Sequence, residues 1–223
     1  MIHTPQESSA DSPGLAESSA EHTDSTHPVL PRIMLVRHGE TAWSAEGRHT
    51  GRADLPLTPD GLQESARLQL RLSRYTPDHV LTSPLLRARE TAQQAGYPHA
   101  EIDEDLAEWN YGTLEGLTLE EIQQQMPGWS VFRNGGPRGE SVEEVMARAD
   151  RVVARLRLLS GNSLIFTHGH FSRALAARWC GLDFEICPHL MLRTTALSVL
   201  GYDRDLSRPA IHAWNLRESF PGS

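Results

Sequence analysis

Two short apolar runs each stop at a His-Gly step: Ile33-Met34-Leu35-Val36-Arg37-His38-Gly39 and Leu164-Ile165-Phe166-Thr167-His168-Gly169-His170. A continuous apolar run of this length, bounded by Gly, reads as a strand buried on both faces, which is the habit of parallel sheets. Ligands of open α/β sheets sit beyond the carboxyl ends of the strands. The two runs therefore predict a pair of histidines, distant in sequence, at one rim of one sheet. A third run, His79-Val80-Leu81-Thr82-Ser83-Pro84, ends in the same manner and leads into a segment carrying Arg87 and Arg89. Histidine, arginine and free backbone N–H groups gathered at strand ends predict an anion pocket.

Between these runs the pattern takes a helical period. Thr58 reads as an N-cap with Pro59 in the first turn, and apolar periodicity lasts to Leu72. Ser83-Pro84 reads the same way, opening a helix to about Ala95. Thr118 with Glu121, and Ser141 with Glu144, have capping-box spacing. The second box opens a long helix toward Leu159, striped by Val142, Val145, Ala149, Val152, Val153 and Leu156. A helix from Phe171 to Trp179 follows the second His-Gly step, and strands are expected from Ala196 to Tyr202 and from Ala210 to Trp214. Alternation of this kind predicts an α/β fold, a three-layer α/β/α sandwich with a mostly parallel central sheet and right-handed crossovers. The stretch from Trp109 to Pro137 is less regular and is expected to cap the site.

The chain has 223 residues and a net charge of −8, which argues against general binding to nucleic acid or anionic membranes. All 21 basic residues are arginine, so lysine Schiff-base chemistry and a P-loop lysine are excluded. Cys180 and Cys187 alone build neither a disulfide framework nor a four-cysteine zinc site, and they fit a reducing, cytoplasmic compartment. Residues 1–31 are rich in Ser, Glu, Asp, Thr and Pro and contain no arginine, so they read as a disordered acidic tail, a tolerated extension more than a regulator. This segment lacks the basic and apolar parts of a signal peptide, and no stretch approaches membrane-spanning length. The folded domain is then expected over 32–217, with 218–223 as a short C-terminal tail.

A phosphomonoester is a dianion, and the arginine fork matches two of its oxygens. Arg37 and Arg87 are placed to hold it, helped by the helix start after Ser83-Pro84. His38 is the candidate nucleophile: its imidazole attacks phosphorus and forms a phosphohistidine. His168 would donate to the equatorial oxygens as charge spreads in the transition state. The leaving alkoxide needs a proton, and Glu108 in Leu106-Ala107-Glu108-Trp109-Asn110-Tyr111-Gly112 is the candidate acid, with Trp109 and Tyr111 expected to give it an apolar setting. As a carboxylate it would then activate water against the phosphohistidine. His170 either lines the pocket or starts the next helix. Arg37 and Arg87 would repel a dication, so His38, His168 and His170 do not read as a zinc site. Arg89 is expected on the outer face of its helix, Glu115 and Glu140 read as structural, and Trp129, Phe132 and Trp179 as packing.

These residues give the chain a resemblance to the histidine phosphatase superfamily, the phosphoglycerate-mutase-like proteins. Arg37-His38-Gly39-Glu40-Thr41 with Trp43 is similar to that family's signature, and Ser83-Pro84-x-x-Arg87-Ala88-x-x-Thr91-Ala92 to its second motif. Leu106-x-Glu108 through Glu115-Gly116, then Gly139-Glu140-Ser141 and His168-Gly169, continue the likeness in family order. The resemblance implies that His38 is phosphorylated, that Arg37, Arg87 and His168, with Gly169, form the phosphate pocket, that Glu108 donates the proton, and that no metal or other cofactor is needed. It also implies substrate contacts from Thr50 and Gly51. Ser44 stands where the family usually has Asn, and its hydroxyl is expected to make that residue's phosphate contact. The mutases carry Arg directly after the acidic Glu, where this chain has Trp109, and they hold a substrate carboxylate with a lysine and an Arg-Arg step, both absent here. Net hydrolysis of a small phosphorylated metabolite, a sugar phosphate or a phosphoglycerate-type compound, is therefore expected. Mutase-type phosphoryl transfer and a non-catalytic phospho-ligand module are the alternatives. The look is nearest to the acid phosphatases of actinobacteria and the sugar-bisphosphatase branch, and the sequence is compatible with a monomer or a homodimer.

Overall fold

The computed structural model describes residues 30–217, so the expected tails, apart from Leu30 and Pro31, lie outside the described residues. Strands β1 (Ile33–Arg37), β2 (His79–Thr82), β3 (Glu101–Ile102), β4 (Ser163–Thr167), β5 (Leu197–Tyr202) and β6 (Pro209–Leu216) form one sheet in the order β3-β2-β4-β1-β5-β6. The first four in chain order pair parallel, and β5 and β6 extend the sheet antiparallel. Helices α1 (Ala42–Ala45), α2 (Pro59–Leu72), α3 (Leu86–Gln94), α4 (Leu119–Gln125), α5 (Val131–Asn134), α6 (Val142–Leu158) and α7 (Gly169–Cys180) complete the layers.

Both faces of the central strands are covered, which is why β1 and β4 read as unbroken apolar runs. Along β1 the side chains alternate: Met34 and Val36 pack with Leu68, Leu72 and Ala92 of α2 and α3, while Ile33 and Leu35 pack with the side of the core built by Val145, Val152, Phe171 and Leu175 of α6 and α7. β4 sits between β1 and β2. Its register sets Arg37 opposite Thr167 and Thr82 opposite Phe166, so His38, His168 and Ser83 emerge at one level of the rim.

The helices begin where local chemistry starts them. Thr58 accepts the Gly61 N–H at 3.0 Å with Pro59 in the first turn, and α2 buries Gly61, Ser65, Leu68 and Leu72 along one stripe. Both expected capping boxes form, at Thr118 for α4 and at Ser141 for α6. The helix expected from Ser83-Pro84 starts later, at Leu86, and its N-cap Leu85 has no side-chain cap of its own. A carboxylate from another loop serves instead: Asp54 Oδ1 accepts the Leu86 N–H at 2.6 Å. α7 starts at Gly169 rather than at Phe171, which places its first turn directly on the rim. The irregular stretch after Trp109 contains the short helices α4 and α5, and it packs behind the site through Trp129 and Phe132.

Candidate active site

The ring centres of His38 and His168 are 5.2 Å apart. His38 Nδ1 lies 2.7 Å from Gly39 O. A carbonyl oxygen only accepts, so Nδ1 carries the proton and Nε2 presents a lone pair. Burial holds the His38 pKa well below its ordinary value, and Arg87 and Arg37 lower it further, so the ring stays neutral. His168 Nε2 lies 2.7 Å from Ser83 Oγ, and that oxygen also accepts the Leu85 N–H at 3.2 Å. The Ser83 hydroxyl hydrogen has no other acceptor among the described residues, so it goes to Nε2. The proton of neutral His168 then sits on Nδ1, which is buried and unpartnered. Burial, followed by Arg87, keeps the His168 pKa well below the usual histidine range as well.

Arg37 and His38 line a cavity of ≈ 150 Å³ together with Glu108, Gly169, His170 and Arg173. Gly169 lies close under Arg37, where a Cβ would sit 3.3 Å from Arg37 Cζ and press on that guanidinium. Arg37 donates to Leu192 O at 2.6 Å, and its Nε is unpartnered. Arg87 and His168 are fully buried, one layer behind His38. Arg87 donates to the carbonyls of Ala53 (2.9 Å), Thr50 (3.0 Å) and Gly51 (2.9 Å), which braces the loop against α3. A guanidinium has five N–H groups. Arg87 thus keeps its Nε–H, which is buried without a partner, and one Nη1–H. Burial lowers the pKa of both arginines, and Glu108 opposes the shift.

Glu108 lines the cavity, but its setting differs from the apolar one expected. Its Oε1 accepts the N–H of Trp109 and of Phe171, both at 2.9 Å, and its Oε2 accepts the N–H of His170 at 3.0 Å. The carboxylate is thus seated on the first turn of α7, where unpaired N–H groups and the helix dipole favour an anion. Trp109 does not wall Glu108 at all: it is buried against Phe132 and Phe184 and donates its indole N–H to Glu140 O at 2.9 Å. Tyr111 does reach the cavity, and its hydroxyl lies 2.5 Å from His170 Nδ1. Burial raises the Tyr111 pKa well above 10.0 and lowers that of His170 well below 6.5, so the phenol is the donor and His170 offers its Nε2–H to the pocket. Both readings of His170 hold: it stands in the first turn of α7 and its ring lines the cavity.

Three expected contacts take another form. Ser44 is at the cavity, yet its hydroxyl accepts the Thr41 N–H at 2.8 Å and donates to Thr41 O at 3.0 Å, closing the capping box of α1. Thr50 lines the cavity and turns its hydroxyl back to Arg48 O at 3.3 Å. Gly51 stands behind the wall as a close-approach position, where a Cβ would meet Glu115 Oε1 at 2.3 Å. Glu115 itself accepts the N–H groups of Arg52 and Ala53 and so shapes this loop, as expected of a structural residue. Arg89 is exposed, and Trp129, Phe132 and Trp179 are core. The sequence set Tyr111 beside Glu108, His49 in the stretch around Thr50 and Gly51, and Arg173 in one motif with His168-Gly169-His170, without giving any of them a pocket role of its own, and it passed over Ser83 as the partner of His168. Arg173 had a usable signal: it is four residues past Gly169 and three past His170, on one face of one helix. Ser83 had none, since its partner is 85 residues away.

Comparison with known proteins agrees with this geometry. An acid phosphatase of Mycobacterium tuberculosis is 39% identical over 184 residues, covering 81% of this chain and 91% of that protein. The sedoheptulose 1,7-bisphosphatase of Saccharomyces cerevisiae is 34% identical over 191 residues, 70% of each chain. A solved structure of a Mycobacterium tuberculosis open reading frame product superposes with a TM-score of 0.79 at 37% identity, covering 83% of this chain and 97% of that one. The family signature of the histidine phosphatase superfamily (branch 1) matches residues 33–217, from the strand that delivers Arg37 and His38 to the end of the sheet, and the chain belongs to that superfamily.

Proposed function

We propose that the protein hydrolyses small phosphomonoesters, sugar phosphates among them, through a phosphohistidine formed on His38 and without a metal ion. The observation that carries this reading is the His38 ring itself, neutral, with its proton fixed on Nδ1 by Gly39 O and its Nε2 lone pair beside a cluster of arginines. Nε2 attacks phosphorus in line with the ester oxygen. The N–P bond forms as the P–O bond breaks, and the electron pair leaves with the alkoxide. The unpartnered Nε groups of Arg37 and Arg87 and the Nδ1–H of His168 supply donors for the phosphoryl oxygens, fixed before reaction. Oε2 of Glu108 accepts a single N–H and so has room for the proton that the alkoxide takes. In the second half, the Glu108 carboxylate draws a proton from water, whose oxygen attacks phosphorus and returns His38 Nε2 to its free state. The relatives named acid phosphatase and sedoheptulose bisphosphatase support hydrolysis of this class of ester. Both cysteines are free, and no helix among the described residues is long and apolar enough to cross a membrane, which supports our reading of a cytoplasmic location.

The test is turnover of a sugar phosphate panel in EDTA-containing buffer, with acid-quenched enzyme probed for a phosphohistidine. His38→Ala is expected to lower kcat by more than ~10⁴-fold, roughly 5.5 kcal/mol of barrier, and to abolish the phosphoenzyme. Near-normal turnover in that variant, or collapse of the wild type on chelation, overturns the mechanism. With 3-phosphoglycerate, free phosphate rather than the 2-isomer is the expected product.

A further inference from the structure

Arg37 is the last residue of β1, and a single bond steers its guanidinium. Its Nη1 donates to Leu192 O at 2.6 Å, no carboxylate lies within ion-pair distance among the described residues, and its Nε is buried without a partner. A guanidinium is planar, so one fixed Nη settles where the remaining N–H groups aim. Whatever holds the Leu192 carbonyl therefore aims Arg37.

That carbonyl shares a peptide plane with the Arg193 N–H, and in a trans peptide the two point in opposite directions. On the far side, Asn215 Oδ1 accepts the Arg193 N–H at 2.9 Å. One peptide unit thus runs from Asn215 at one end to Arg37 at the other, and hydrogen bonds in series polarise one another. The preceding peptide is pinned as well, because Trp214 Nε1 donates to Met191 O at 2.7 Å. Met191 and Arg193 are exposed, so their own side chains do not pack this loop in place.

The sheet is deformed to make these contacts. Leu197 pairs with Leu216 and Val199 with Ala213, so Trp214 and Asn215 together face Ser198 in a β-bulge, a device that re-aims side chains. Asn215 takes φ +60°, a left-handed conformation that asparagine tolerates, and its N–H donates to Ser198 Oγ at 3.1 Å. The loop enters β5 through Thr195 at φ +54°, where a β-branched residue is strained. The Thr195 N–H lies 3.1 Å from Arg37 O and 3.3 Å from His38 O, which ties the strained residue to the same strand end. Strain of this kind collects at functional sites, where the surrounding structure enforces it.

Building on the proposed phosphatase reading, we infer that Asn215 and Trp214 are positioning residues for Arg37: through the Leu192 peptide they set the guanidinium plane that receives the phosphoryl group. Neither side chain lines the cavity, and both act from the last strand of the sheet.

Calorimetric titration of the full chain with inorganic phosphate tests this without turnover. Asn215→Gly keeps the left-handed backbone and removes the acceptor. It is expected to weaken phosphate binding about tenfold, and Asn215→Asp, which restores the acceptor, to stay within about threefold of wild type. An ammonium has no plane to set, so in an Arg37→Lys background the same glycine substitution is expected to cost less than about threefold. A role in folding alone would weaken binding equally in both backgrounds. Wild-type affinity in Asn215→Gly, or an equal loss beside Arg37→Lys, overturns the inference. Should Asn215→Gly fail to fold, Trp214→Phe repeats the comparison, with a loss of about threefold beside Arg37 and none in the Arg37→Lys background. Coupling without hydrolysis of any ester leaves the positioning role standing and removes the hydrolase reading, while hydrolysis without coupling does the reverse.

Discussion

A proton assignment decides what each histidine at the rim can do. Gly39 O fixes the His38 proton and Ser83 fixes that of His168, so one ring is left to attack and the other to donate. Glu108 has the complementary duty, and its prediction belongs at this scale. Glu108→Gln is expected to lower kcat by ~10²–10⁴-fold on alkyl phosphates, and far less on nitrophenyl phosphate, whose leaving group needs no proton. Steady-state rates on the two esters check it, and an equal loss on both removes the acid role. His38, His168, Glu108, Arg37 and Arg87 were readable because each stands beside a strand end or within a motif. Ser83, read from its neighbours alone, looked like a helix cap, and the structure gives its hydroxyl to a ring across the sheet.

The segment that carries Glu108 is strapped to α6 by Arg148. That side chain pairs with Glu140 at 2.8 and 2.9 Å and donates to the carbonyls of Asp105 (2.8 Å) and Ala107 (2.6 Å). Glu140 in turn accepts the Asn110 N–H at 2.9 Å, so a pair of buried Arg148 and half-buried Glu140 holds the chain on either side of the catalytic acid. Arg148→Met is expected to destabilise the fold by roughly 1–3 kcal/mol, because the carbonyls of Asp105 and Ala107 lose their donor while Glu140, half-buried, keeps the Asn110 N–H and Arg52 at 3.7 Å. Urea denaturation reads the loss. Arg148→Met combined with Glu140→Gln should recover part of it, and additive losses would show that the pair is not the strap. The sequence disclosed the starts of α2, α4 and α6, because their caps lie within three residues of the N–H they serve. The start of α3 stayed hidden because Asp54, its cap, comes from a loop 32 residues earlier. Glu140 was read as structural, but its partner Arg148 was not foreseen, since a stripe of apolar residues says nothing about a buried cation among them.

Taken as a whole, the molecule keeps His38, His168 and His170 out of water and beside positive charge, and burial lowers the pKa of each well below 6.5. The unfolded chain therefore binds more protons than the folded one below about pH 6.5, and stability rises with pH in that window. Stability is complete above the unfolded value and is lost as pH falls from about 6.5 toward the folded values, by up to about 1.4 kcal/mol per pH unit for each ring that stays neutral. Unfolding free energies from urea titrations at pH 7.5, 6.5 and 5.5 measure this slope, and a flat profile contradicts it. The sheet was legible at the same scale, down to the β1 and β4 runs, while the two-residue edge strand β3 offered too little pattern to be seen. The position of β4 has a consequence for synthesis. β1 and β2 never bond to each other, and both wait for a strand that begins at Ser163. A polypeptide still growing on the ribosome thus holds its attacking imidazole for some 130 residues with an empty edge beside it, inert until the missing plank slides in. A chain cut short before that plank leaves β1 and β2 as raw edges, with neither His168 nor α7 beside the imidazole.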